Sequence, residues 1–462
     1  MRLKGEKRQN NQLELALKAV NKGETRKTAD KGTEASVAKQ AAESPVDTER
    51  LMEEVCERKN CEQALKRVKA NKGSPGVDGM TVGELPAFLK ARWPGIREQL
   101  LQGTYKPQPV LRAEIKKPEG GMRKLGIPTV LDRFIQQAVM QVLQGRWDRE
   151  FSRHSHGFRL EHSAHQAVSE AQQYIAEGYR HVADIDLEKF FDLVNQDKLM
   201  GQVAKRIADK RALKLIRAFL KAGVMENGLV GPTDEGTPQG GPLSPLLSNL
   251  VLDELDRELE KRKLRFVRYA DDCNIYVRSQ RAGERVMKSI TTFITRKLKL
   301  KVNSEKSAVA RPWERKFLGF SFTWDRQPRR RIAPKALKRF KERVRKLTSR
   351  TRGVSLERMA EELGRYLRGW QGYYGYCQTP SVMAKLEGWT KRRLRSAIWK
   401  QWKSGKVRFA ELTKRGVDKQ TARYTAGCCH GPWRVSNSPA LTIALSNAFF
   451  ESLGLPHLSA LR

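Results

Sequence analysis

Tyr269-Ala270-Asp271-Asp272 sets two carboxylates side by side between two runs of strand-forming residues, Arg265-Phe266-Val267-Arg268 and Cys273-Asn274-Ile275-Tyr276-Val277. The pattern predicts a β-hairpin with the acids at its tip. A tight hairpin turn favours glycine because its backbone needs φ > 0. This tip has no glycine, and adjacent like charges repel unless a cation sits between them. A second source of carboxylates is His181-Val182-Ala183-Asp184-Ile185-Asp186, a predicted short strand that gives way to Leu187-Glu188-Lys189-Phe190-Phe191-Asp192. Asp184 and Asp186 are two apart, so a strand points both to one face. One acid from this strand end and two from the hairpin would suffice to hold a pair of Mg²⁺ ions. Mg²⁺ takes hard oxygen ligands and keeps waters and substrate phosphates in its shell. Two such ions activate a hydroxyl and stabilise a leaving oxygen in phosphoryl transfer. The competing reading makes Asp186 or Asp184 the cap of a helix starting near Glu188. Spacing alone does not choose.

Further motifs stand in order around these acids. Upstream are Gly73-Ser74-Pro75-Gly76-Val77-Asp78-Gly79, Arg123-Lys124-Leu125-Gly126-Ile127-Pro128-Thr129, Asp132-Arg133 and His156-Gly157-Phe158-Arg159. Between them lies Thr237-Pro238-Gln239-Gly240-Gly241-Pro242-Leu243-Ser244-Pro245-Leu246-Leu247-Ser248-Asn249. Downstream are Asn303-Ser304-Glu305-Lys306, Phe317-Leu318-Gly319-Phe320, Gly369-Trp370-Gln371-Gly372-Tyr373-Tyr374 and Gly431-Pro432-Trp433-Arg434. In this order and register the chain resembles the bacterial group II intron-encoded reverse transcriptases, or maturases, of the type that lacks an endonuclease. The resemblance runs over roughly residues 50 to 462. It implies an α+β right-hand polymerase: fingers and palm, an α-helical thumb (the maturase X domain) and a small basic C-terminal region.

The resemblance also implies roles for single residues. Asp186, Asp271 and Asp272 would be the catalytic acids that bind two Mg²⁺ ions, with Mn²⁺ able to stand in, and Asp272 would contribute less directly than its neighbour. Phe191 would lie under the sugar of the incoming nucleotide, where a ring leaves no room for a 2′-hydroxyl. Gln239 would sit beside the nascent base pair, followed by glycines that admit close backbone approach. Lys117 and Arg123 would hold the dNTP triphosphate. Lys306, Arg339 and Arg343 would contact the template–primer. Two departures from the family pattern each put lysine in place of proline, at Lys116 in Ile115-Lys116-Lys117-Pro118 and at Lys124 after Arg123. Cys273 stands where an aromatic residue is frequent. None of these removes a catalytic group.

The elements that must position these residues divide the sequence. Residues 1–45 read as a polar, mobile arm, with a short helix possible from Asn11 to Val20; 46–180 as an N-terminal extension and fingers, opened by a helix from Thr48 to Val68; and 181–325 as the palm. Ser244-Pro245 starts a palm helix whose Leu246, Leu247, Leu250, Val251 and Leu255 form a core stripe. Residues 326–403 read as the thumb, beginning with a basic helix over Arg326 to Arg350 and followed by helices at about Ser355 to Gln371 and Ser381 to Lys403. Leu337, Phe340, Val344 and Leu347 give the basic helix a buried stripe, and its cations suit phosphate tracking. Residues 404–462 read as a C-terminal nucleic-acid-binding region. Trp370, Tyr373 and Tyr374 read as bundle core or the turn after it, and Cys428-Cys429-His430 as structural, since its spacing is wrong for zinc.

Composition agrees with a polyanion partner. Lys and Arg number 90 against 51 Asp and Glu, a net charge of +39. No apolar stretch is long enough to span a membrane, and no signal-peptide pattern opens the chain, so a bacterial cytoplasmic protein with no membrane partner is expected. The six cysteines include no C-x-x-C pair, which argues against a disulfide framework, a zinc ribbon or a zinc-bound endonuclease. The partners implied are a group II intron RNA, an RNA template with a DNA or RNA primer, target DNA and dNTPs. Two other functions fit parts of the pattern: an RNA-binding splicing cofactor without polymerase activity, and a stand-alone host reverse transcriptase for DNA repair or phage defence.

Overall fold

Runs of alternating apolar residues broken by tight turns fold the first two thirds of the chain into two four-stranded sheets with helices packed on them. The structure is a computed structural model and describes residues 48–116, 121–226, 229–231, 236 and 240–459, with Arg123 described by its backbone alone. The N-terminal arm, Lys117 and Gln239 lie outside the described residues. Contacts divide the chain into two units, one ending at Arg311 and one starting at Pro312.

In chain order the first unit holds α1 (Leu51–Val55), α2 (Arg58–Asn71), α3 (Leu85–Gln102), β1 (Val110–Lys116), β2 (Met122–Ile127), α4 (Val130–Trp147), α5 (Ala164–Ala176) and β3 (His181–Ile185). It continues with α6 (Phe190–Leu193), α7 (Gln196–Ala204), α8 (Lys210–Leu220), β4 (Val224–Glu226), β5 (Leu229–Gly231) and α9 (Ser244–Lys261). Then come β6 (Arg265–Tyr269), β7 (Asp272–Val277), α10 (Gln280–Phe293), a π-helical turn (Ile294–Leu298) and β8 (Ala308–Ala310). The single helix expected from Thr48 to Val68 is in fact α1 and α2. The chain breaks at Glu57, whose ψ of 140° is extended. The Asn60 side-chain amide donates to the Val55 carbonyl at 2.9 Å and so satisfies the end of α1.

One sheet has the order β2-β1-β4-β5, with β1 antiparallel to β2 and parallel to β4. The other, β6-β7-β3-β8, is antiparallel throughout and carries the acids. Its central strands are buried almost along their length, because α5, α9 and α10 pack against the sheet. Helix α9 has Pro245 in its first turn, where the missing N–H costs nothing, and it buries the expected leucines. Asn249, Asp253 and Asp256 on the same helix are buried as well.

The second unit opens with a hairpin, β9 (Phe320–Phe322) and β10 (Arg330–Ile332). Helices α11 (Pro334–Leu347), α12 (Leu356–Tyr374) and α13 (Pro380–Gln401) follow, then short helices α14 (Gly405–Lys414), α15 (Lys419–Ala426), α16 (Pro432–Val435), α17 (Pro439–Ala444) and α18 (Asn447–Ser452). The basic run expected as one helix from Arg326 splits here. Arg330 and Arg331 pair in a strand, and the helix begins at Pro334, whose fixed φ suits a first turn. Phe340, Val344 and Leu347 are buried as the spacing required. Trp370 is core, its ring centroid 4.4 Å from that of Phe340. On α13, Glu387 accepts from Lys391 at 2.6 Å and from the Ser459 hydroxyl at 2.7 Å, which ties the end of the chain to the bundle.

Candidate active site

The acid-bearing hairpin is built on a two-residue turn. Tyr269 pairs with Asp272, so Ala270 and Asp271 form the turn and Asp272 is the first residue of β7. Ala270 has φ of +56°, a left-handed conformation costing an L-residue roughly 1–2 kcal/mol. The surroundings hold it there. Arg268, fully buried, donates to the Ala270 carbonyl at 2.9 Å. The same nitrogen, Nη1, donates to Asn249 Oδ1 at 3.0 Å, and the other two reach Asp256 at 2.7 and 2.6 Å, a bidentate pair. Burial pushes the Asp256 carboxyl upward, and the Arg268 guanidinium opposes that push. Asn249 in turn donates to the Gly157 carbonyl at 2.8 Å. Gly157 presses against the turn so closely that a Cβ there would lie 2.3 Å from the Ala270 nitrogen. The glycine of His156-Gly157-Phe158-Arg159 is thus the back wall of the acidic turn.

A ring of titratable groups backs this wall. Arg268 exchanges backbone hydrogen bonds with His154 and His156, each at 2.9 Å. Both imidazoles contact Glu170, His156 Nε2 at 2.7 Å. Although burial works to raise it, the Glu170 carboxyl is pulled down to about 2 by hydrogen bonds from His154, His156 and Tyr174.

Strand β3 lies beside β7, and their ladder ends at Ile185 opposite Cys273. Asp186 follows Ile185 and Asp272 precedes Cys273, so both acids come directly after the last pair of the ladder. Asp186 caps nothing: α6 starts after Lys189, with no side-chain cap bond. That removes the helix-cap reading of these acids. Instead the Asp186 backbone is clamped by the segment before β8. Its N–H donates to the Ser307 hydroxyl at 3.0 Å, and its carbonyl accepts from Asn303 N–H at 2.8 Å. Asn303 Oδ1 also accepts from the Glu305 and Lys306 amides, shaping the turn that carries Lys306. The Lys306 ammonium reaches to 3.8 Å from Asp186 Oδ1.

Phe191 sits one turn beyond Asp186, half-buried, edge-on to the buried Phe190 ring with centroids 5.3 Å apart. The chain leading to the glycine loop passes over it: a Cβ on Gly236 would lie 2.7 Å from the Phe191 carbonyl. Gly240 has φ of +133°, and a Cβ there would lie 2.3 Å from the Gly126 carbonyl on β2; one on Gly241 would meet the Gln136 side chain of α4 at 2.2 Å. Gly236 and Gly240 meet backbone at positive φ, approaches that only glycine fits. The loop therefore joins β2, the strand that carries Arg123, to the neighbourhood of Phe191. Arg339 and Arg343 lie one turn apart on α11 in the second unit.

Carboxylates at neighbouring strand ends offer the hard oxygen donors that Mg²⁺ takes. Among the described residues no three His, Cys, Asp or Glu side chains form a ready-made metal cluster. Mg²⁺ is commonly held by one or two carboxylates plus substrate phosphates and water rather than by a closed protein cage. Sequence reasoning missed Arg268, Asp256 and Asn249. The available signal was the seven-residue spacing of Asn249 and Asp256, which sets two polar residues on the same face of the helix as its leucines.

Comparison with known proteins gives two family matches. Residues 115–322 match the model described as reverse transcriptase (RNA-dependent DNA polymerase), and residues 337–416 the group II intron maturase-specific domain. The chain is 31% identical to protein YkfC of Escherichia coli (strain K12), over 58% of this chain and 81% of that one. It is 38% identical to the group II intron-encoded protein LtrA of Lactococcus lactis subsp. cremoris over 44% of this chain, and spans only about a third, 34%, of LtrA. A solved structure, titled as a partial Cas6-RT-Cas1--Cas2 complex, aligns at 24% identity over 53% of this chain and 42% of its own, with a TM-score of 0.35 too low to add weight. No described helix is long and apolar enough to cross a membrane.

Proposed function

The chain belongs to the group II intron-encoded reverse transcriptases that carry a maturase domain, and from that premise we propose that it copies RNA into DNA and assists splicing and mobility of a group II intron. The observation that carries the polymerase reading is the meeting of two sequence-distant strand ends, Asp186 on one side and Asp271-Asp272 on the other. In this reading these acids hold two Mg²⁺ ions, which when bound supply charge stabilisation for nucleotidyl transfer to a primer 3′-hydroxyl.

The protein's own residues do the positioning. Arg268 and Gly157 fix the turn, so Asp271 is presented without reorganisation when substrate arrives. Lys306 balances the Asp186 charge until the triphosphate enters. Phe191 excludes a 2′-hydroxyl by bulk, while Lys117 and Arg123 neutralise the triphosphate and Gln239 lies against the new base pair. Lys306, Arg339 and Arg343 supply cations for contacts to the template–primer. The fingers (46–180), palm (181–325), thumb (326–403) and basic C-terminal region (404–462) serve the divisions read from the sequence. Intron RNA and target DNA are bound through phosphate contacts in the bacterial cytoplasm.

Asp271→Ala tests the assignment. With an RNA template, a DNA primer and dNTPs, its DNA synthesis is expected to fall to background. Splicing of the intron RNA in which the gene lies is expected to persist. DNA synthesis at the wild-type rate would remove the polymerase site from these acids, and a parallel loss of splicing in a folded variant would make the two activities one.

A further inference from the structure

Helix α10 has two opposite faces. Gly283 sets one down on the sheet so closely that a Cβ would lie 2.4 Å from the Val309 Cγ1 of β8, and Ile290, Ile294 and Leu298 are buried along the same side. The other face reads Arg281, Arg285, Lys288, Thr292, Arg296, spaced by four, three, four and four, and all are exposed. That spacing is one stripe of a helix. The π-helical turn adds width where α10 ends, and there Arg296 and Lys297 both face the same hollow. From α9, Arg262 closes the hollow: it donates to Ser289 of α10 at 2.6 Å and is held by Glu258 of its own helix. The result is an open cleft of about 540 Å³ with five cations on its walls, a half-buried Phe293 and no carboxylate among its lining residues. None of the candidate catalytic residues contributes to it.

We propose that the α9–α10 cleft is a second nucleic-acid site, which anchors the phosphate backbone of structured RNA outside the polymerising centre. Three features select this occupant. From Arg281 to Arg296 the stripe runs about 22 Å at the rise of a helix, a length matched to several successive phosphates rather than to one small anion. None of the large exposed hydrophobic side chains lies on this face, so a lipid surface would find no apolar anchor. Ser289, whose hydroxyl accepts from Arg262 and keeps its own proton to donate, adds a hydroxyl among the cations that can bond a 2′-hydroxyl as well as a phosphate. The choice of RNA over DNA rests on the function proposed above.

The test uses the full chain and a labelled RNA stem-loop, with affinity measured across a KCl series. The cleft triple variant Arg285→Gln/Lys288→Gln/Arg296→Gln is compared with Lys66→Gln/Lys90→Gln/Lys214→Gln, which removes the same charge from exposed sites on three other helices. The cleft variant is expected to flatten the slope of log K against log salt by about 2 to 3 and to weaken binding by about tenfold or more at low salt. The scattered variant should change both far less. Both are expected to extend an oligonucleotide primer at the wild-type rate. Equal flattening in the two variants, or none in either, would overturn the proposal. So would unchanged RNA binding with loss of binding to phosphatidylserine vesicles, or an equal loss on a DNA duplex of the same sequence. A chain that binds RNA as expected but makes no DNA would instead count against the polymerase reading alone.

Discussion

Replacing Arg268 with methionine separates two jobs that one side chain performs. The guanidinium is wholly buried and forms a bidentate pair with Asp256, so its removal leaves a buried carboxylate with no counter-charge. Breaking such a pair from one side costs about 3–5 kcal/mol. In a unit of this size that lowers the melting temperature by roughly 10 °C. Removing both charges with apolar residues of similar volume, Arg268→Met with Asp256→Leu, should recover most of the loss, because the stranded charge is gone. Catalysis should not recover. The double variant still lacks the donor to the Ala270 carbonyl, the bond that helps hold φ at +56° and aims Asp271. A hydrogen bond from a charged donor contributes about 1.5–3 kcal/mol, so kcat should stay down by roughly 10- to 100-fold with KM for dNTP little changed. The assay is single-nucleotide extension on an RNA template, paired with thermal melts of both variants. A double variant with the wild-type kcat would show that the hairpin sets its own turn. A single variant as stable as the parent would refute the reasoning about the buried charge.

The other predictions concern the neighbours of this turn. Phe191→Ala should raise ribonucleotide incorporation relative to deoxynucleotides by roughly 10- to 100-fold; unchanged sugar selectivity in primer extension would remove the steric role. Glu170 is held at about 2 against an ordinary 4.5, a depressed carboxyl, so its stabilising share is full above 4.5 and is lost as pH falls toward 2. That share is about 3 kcal/mol from the size of the shift. Melting curves of the parent and Glu170→Gln should therefore lie furthest apart near neutrality and converge in acid; a gap that stays constant down to about pH 3 would contradict the linkage.

Much of this architecture was legible because it rests on local rules. The hairpin of Arg265–Val277, the strand at His181–Ile185 and the helix opened by Ser244-Pro245 follow from alternation, turn composition and proline placement. All three lie where those rules put them. The two misjudged helices failed for reasons that reach beyond local spacing. Asn60 draws the Val55 carbonyl out of a continuous helix and also donates to the Ala138 carbonyl of α4, a contact 78 residues away. Arg330 and Arg331 are drawn into a strand by Phe322 and Ser321, which no periodicity in the basic run announces.

The site shows the same division more sharply. Asp186, Asp271 and Asp272 stand out in the sequence as candidates because metal-assisted phosphoryl transfer restricts which residue types could serve. What aims them is not visible, because an arginine in a strand reads as an exposed residue until its partners are known. Arg268 is buried only because Asp256 and Asn249 arrive from α9, and Ala270 tolerates its left-handed backbone only because Gly157 and Arg268 enclose it. Each of these contacts joins residues that are neighbours in space through tertiary packing. A glycine of the His156-Gly157-Phe158-Arg159 motif can be recognised by resemblance. Its physical reason, 2.3 Å between a missing Cβ and the acidic turn, belongs to the fold. The candidate acids are therefore written in residue type, and their placement in the packing between β6, α9 and the loop before α5.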